Sequence, residues 1–99
     1  MDLEQFDVHI VEYQETTMKS RYIIGYILLQ GTRYDFNALA YESHAGPNVN
    51  ANFEEESKAE LAKIGLDSEA VEELLVNVQR KLMEGDLVMD FEKPANGGV

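Results

Sequence analysis

Residues 21–41 read RYIIGYILLQGTRYDFNALAY, and two apolar runs separated by a single polar break with a glycine decide the fold. The first run, residues 21–30, is apolar on both alternating faces, which marks the centre of a sheet. The second alternates, with Tyr34, Phe36, Ala38 and Ala40 on one side. Gln30-Gly31-Thr32-Arg33 between them supplies the glycine that a tight hairpin turn uses.

Toward the N-terminus, FDVHIVEY (residues 6–13) repeats the period of two. Phe6, Val8 and Ile10 fall on one side, and Asp7, His9, Val11 and Tyr13 on the other. β-Branched and aromatic residues in that pattern indicate a strand. QETTMKS then reads as a polar connection. Three strands joined by short links predict an antiparallel meander, because short connections join antiparallel neighbours.

Toward the C-terminus, SHAGPNVNAN (43–52) has the Gly, Pro and Asn density of a loop, with Asn52 placed to cap a helix and Glu55 three residues on. Residues 54–64 favour a helix with Leu61 and Ile64 on one stripe, ended by Gly65. A second helix, capped by Asp67 or Ser68, carries Val71, Leu74, Leu75, Val78 and Leu82 at the spacing of one buried face and stops at Gly85. LVMDF (87–91) is either a short fourth strand returning to the sheet edge or an apolar segment pinned on the core, the strand being favoured. The expected class is α+β: a three-strand antiparallel meander with a possible fourth C-terminal strand and two α-helices packed on one face. Residues 1–93 are expected as one domain and 94–99 as a disordered tail.

The chain of 99 residues has 44% hydrophobic residues, enough for one core. It has no cysteine, which excludes disulfides, thiolate metal sites and cysteine nucleophiles. The N-terminus lacks the basic and apolar regions of a secretory signal, and the longest apolar run falls well short of the roughly 20 residues of a membrane helix. A soluble, cytoplasmic protein with no membrane partner is the expectation.

Chemistry-bearing motifs are absent. His9 and His44 stand in different elements without ligand or triad spacing, Gly25 and Gly31 belong to no phosphate-cradling pattern, and the acids match no calcium loop. Glu54, Glu55 and Glu56 point about 100° apart on a helix and suit its first turn rather than one cation. No enzyme, metal or cofactor is expected.

Two surfaces stand out instead. Nineteen acids against eight basic residues give a net charge of −11, and residues 52–92 hold twelve of the acids against four basic residues. Such a chain repels nucleic acid, so no direct nucleic-acid binding is expected. The buried helix stripes force Glu55, Glu60, Glu69, Glu72 and Glu73 toward water, where they suit a basic surface of a protein partner, a nucleic-acid-binding surface among the candidates. Inhibitors or adaptors that phages and mobile elements direct against host machinery share this composition. The second surface is the sheet face that two helices leave uncovered, with Tyr13, Tyr22, Tyr26, Leu39 and Tyr41 expected on it, the alternative being that the C-terminal segment or the 43–52 loop folds over this face. It suits self-association, the alternative being a homo-oligomeric (dimeric) structural or accessory domain.

Overall fold

The computed structural model describes residues 2–17 and 19–89. Within them the chain order is β1 (Asp7–Thr17), β2 (Ser20–Leu29), β3 (Thr32–Ser43), β4 (Gly46–Phe53), α1 (Glu55–Lys63), α2 (Ser68–Glu84) and β5 (Val88–Met89). The sheet order is β4-β3-β2-β1-β5, so β2 is central, as its two apolar faces imply. β1 to β4 are antiparallel neighbours, and β5 lies parallel to β1 through His9↔Val88 and Ile10↔Met89. The fold is α+β, with the α2 stripe and the inner sheet face supplying one core.

The hairpin between β2 and β3 closes at Leu29↔Thr32, and its two central residues, Gln30 and Gly31, have φ of 53° and 82°. Positive φ at both positions is what a type I′ turn demands. From there the alternation is regular. Ile23, Ile27 and Leu29 of β2 and Tyr34, Phe36 and Ala38 of β3 are buried toward the helices, while Tyr22, Ile24, Tyr26 and Leu28 face away, half-buried.

α2 follows its periodicity. Leu74, Leu75 and Val78 are buried, with Val71 and Leu82 packed beside them, and Asp67 Oδ1 accepts the Ala70 N–H at 2.9 Å as the N-cap. The buried Asn77 on the same helix donates to the Leu3 carbonyl at 2.9 Å, tying the N-terminal segment down.

Several expectations are corrected. Residues 46–53 form strand β4 rather than a loop, making the meander four strands. Val49, Ala51 and Phe53 turn inward at period two while Asn48, Asn50 and Asn52 turn outward, so the turn-forming composition hid an edge strand. Gln79 of α2 accepts the Ala51 N–H at 2.9 Å and covers that edge. Asn52 therefore caps no helix. Glu54 takes the N-cap position of α1 without a side-chain cap bond. The start of α1 is held from β3 instead: Asp35 donates its N–H to Ser57 Oγ at 2.8 Å and accepts from the Glu54 N–H at 3.0 Å.

Residues 14–20, expected as a polar connection, are mostly strand, with β1 running to Thr17 and β2 starting at Ser20. Cross-strand polar pairs replace apolar ones there, Thr16–Ser20 hydroxyls at 2.6 Å and Arg21–Glu15 at 3.5 Å. Ile64 lies past the end of α1 and is 45% exposed; Leu66, delivered by the turn at Gly65 (φ 99°), is buried in its place. The expected return strand is present as β5 at Val88–Met89, whereas Asp90, Phe91 and the expected tail at 94–99 lie outside the described residues.

The correction that matters most for the surfaces concerns Tyr13. β1 carries a bulge between Ile10 and Glu12, so one extra residue, Val11, opposes β2 and the alternation inverts beyond it. Tyr13 pairs with the buried Ile23 and packs on the core from the helix side, and Glu12 takes the outward position opposite Ile24. Gly25 sits beside the bulge. A Cβ there would run into the His9 carbonyl oxygen and approach Phe36 Cζ to 2.9 Å, so this glycine lets β1 and the Phe36 ring close on β2.

Candidate interaction surfaces

The outward sheet face is assembled row by row from the strand register. One row is His9, Tyr26 and Asp35; the next is Glu12, Ile24, Asn37 and Asn52; then come Gln14, Tyr22, Leu39 and Asn50; Tyr41 and Asn48 follow with Ser20. Tyr22, Tyr26, Leu39 and Tyr41 thus share this face as the sequence implied, and Tyr13 does not. Leu39 is 40% exposed.

The face has a structured polar inventory. His9 stacks on Tyr26 with ring centroids 4.6 Å apart and planes within 7°, and the Arg33 guanidinium lies 4.0 Å from the Tyr26 centroid. Arg33 Nε in turn donates to Asp35 Oδ1 at 2.9 Å. Imidazole, phenol and guanidinium therefore form one ordered stack on the outer surface. Asn48 donates to the Tyr41 hydroxyl at 3.2 Å, Asn37 to Glu54 at 2.9 Å and Gln14 to Glu12 at 2.7 Å.

On the opposite side the five acids separate into two groups. Glu55 and Glu60 of α1 pair with Lys58 at 3.3 Å and Lys63 at 3.2 Å. Arg80 and Lys81, at the far end of α2, pair with Glu84 at 3.7 Å and Asp86 at 3.2 Å. Glu69, Glu72 and Glu73 are exposed on the first turns of α2 and make no ion pair among the described residues. Burial of Leu74, Leu75 and Val78 on the reverse side fixes the helix that presents them.

Two open clefts lie among the described residues. One, of about 420 Å³, lies where β2 to β4 extend past the end of α2, between Arg21, Glu15, Ala40, Val49, Leu82 and Met83. The other, of about 430 Å³, opens at the start of α1 beside Asp35, Glu54, Glu55 and Glu56. Neither is lined by a histidine, and among the described residues no three His, Asp or Glu side chains are disposed to hold a metal ion. His44 stands exposed at the tip of the β3–β4 hairpin. Among the described residues no helix is long and apolar enough to cross a membrane.

Comparison with family models, with curated proteins and with solved structures finds no match to this chain.

Sequence reasoning missed the asparagine row and the stack on Tyr26. The first was legible in N-V-N-A-N-F, whose apolar members alternate as strictly as those of a strand. The second depended on strand register, which no local pattern carries.

Proposed function

We propose that the protein is a small non-enzymatic binding module, an inhibitor or adaptor, that presses the exposed side of α2 against a basic surface of a larger protein partner. The observation that supports this is the uncompensated group Glu69, Glu72 and Glu73: the basic residues of both helices lie on other acids, so negative charge is concentrated on one ordered helix face. An ordered acidic face on a chain of net charge −11 steers encounter with a basic patch and competes for it with phosphate. A surface that otherwise holds DNA or RNA fits that description, since duplex DNA presents about one charge per 1.7 Å of axis. The size and composition agree with the inhibitors that phages and mobile elements use against host machinery.

The test begins by capturing partners from lysate on the immobilised protein and repeating the capture with Glu72→Lys/Glu73→Lys. The association rate of the captured protein should fall about tenfold or more in the variant and fall steeply as salt rises from about 50 to 500 mM, with thermal stability nearly unchanged. Association indifferent to both salt and the charge reversal refutes the assignment of this face.

A further inference from the structure

The sheet face turned away from the helices is large enough to matter. Four strands about 4.8 Å apart and ten residues long at about 3.3 Å per residue make a footprint of roughly 600 Å². Two such footprints reach about 1,200 Å², the lower bound of specific, stable interfaces. Its crest is apolar and aromatic: Tyr22, Ile24, Tyr26 and Leu28, with Leu39 and Tyr41 beside them.

What surrounds the crest selects the occupant. Asn37, Asn48, Asn50, Asn52 and Gln14 carry carboxamides, each donor and acceptor at once. Across a two-fold axis every group meets the same inventory it belongs to, so groups that both donate and accept are the ones that such a contact can satisfy. The charges here are few: Arg33 is paired with Asp35 at 2.9 Å, and the Glu12 carboxylate, at the β1 side of the face, accepts the neutral Gln14 amide at 2.7 Å. On the helix side, by contrast, Glu69, Glu72 and Glu73 would meet their own copies and repel. A basic or phosphate-bearing partner would find little to recognise on a face where amides and tyrosines predominate and the Arg33 guanidinium is already held by Tyr26 and Asp35.

We infer that a second copy of this chain docks on this face, sheet against sheet, with the aromatic crest of β2 at the centre and the amides at the rim. The product is a helix–sheet–sheet–helix sandwich with the two sheets about 10 Å apart. It turns the two α2 acid faces outward on opposite sides. The dimer is therefore divalent: it holds two basic partner molecules that do not touch each other. This divalency rests on the function proposed above; the dimer itself does not.

Sedimentation equilibrium and light scattering from about 1 µM to 1 mM test the dimer without any partner. The chain should run at twice its monomer mass. Leu39→Glu should raise the dimer dissociation constant about a hundredfold or more, because two carboxylates would be desolvated against a matched surface. Asn50→Glu, on an exposed edge-strand position that contributes nothing to the core, should act in the same direction and stands in if Leu39→Glu does not fold. Glu72→Lys should leave the dimer intact. A monomer at every concentration, or an undiminished dimer in a folded Leu39→Glu or Asn50→Glu variant, overturns the inference. With the captured partner in hand, light scattering should give two partners per dimer; one partner per dimer overturns the outward placement of the acid faces while leaving α2 as the contact.

Discussion

Replacing Gly25 by alanine is the sharpest test of how the sheet is built. In an ordinary strand the change from glycine to alanine stabilises by roughly 0.5–1 kcal/mol, since glycine loses the most backbone freedom on folding. Here the added carbon is driven into the His9 backbone carbonyl and to 2.9 Å from Phe36 Cζ and 3.2 Å from Phe36 Cε2. Phe36 is fully buried, with the core around it, and the His9 carbonyl belongs to a strand pinned on both sides, by β2 and β5. Overpacking of a tight core costs about 1–3 kcal/mol, and a clash with backbone lies at the upper end. The clash outweighs the entropic gain, leaving a net loss of about 2 kcal/mol. For a domain of this size that lowers the melting temperature by about 8–16 °C. Urea denaturation followed by circular dichroism measures it directly. A Gly25→Ala variant as stable as the parent, or more so, would refute the close approach of β1 to β2 at the bulge.

Asp67→Ala should remove the α2 cap and cost about 1 kcal/mol, seen as a lower urea midpoint with unchanged slope; no shift would mean that the Ala70 N–H finds another acceptor. Gln79→Ala should leave the edge of β4 without its helix-side acceptor, cost about 1–2 kcal/mol and speed amide exchange at Ala51. Exchange at Ala51 as slow as in the parent would show that water or another group satisfies that N–H. His44→Ala, at an exposed hairpin tip, should change stability by less than about 0.5 kcal/mol and leave partner binding intact. Loss of binding in a folded His44→Ala variant would move the functional surface to that tip.

The elements whose residues alternate or repeat without interruption were readable from the chain: the β2–β3 hairpin with Gln30-Gly31 at its turn, and α2 with its five-residue stripe. The misreadings have separate causes. In residues 43–52 the turn-forming character of Asn, Gly and Pro masked a period of two, because on an edge strand the outward positions face water and asparagine is tolerated there. At Val11 nothing in the local sequence announces the bulge; the signal was Gly25, fourteen residues on in the chain and across the ladder, and a single strand read alone cannot show it. That one inserted residue reversed Tyr13 from the outer to the inner side. The acid surface was legible as to position, since helix periodicity forces those residues outward. Which acids are neutralised depended on side-chain pairing, so Glu55 and Glu60 separated from Glu69, Glu72 and Glu73 only in three dimensions.

The pairing of β5 with β1 has a consequence for the chain as it is being made. The first hairpin is complete once residue 29 has emerged, but the strand that flanks β1 on its other side is Val88–Met89, so β1 must wait for roughly 60 further residues. At about 5–20 residues per second that is some 3–12 s during which a long strand offers unpaired amides and carbonyls to any neighbouring nascent chain. Glu12 and Glu15, exposed on that strand, put like charge on every copy that would line up there. β5 pairs only with His9 and Ile10, so among the described residues the stretch of β1 that carries Glu12 and Glu15 lies beyond it, and these acids disfavour edge-to-edge pairing in the finished molecule as well.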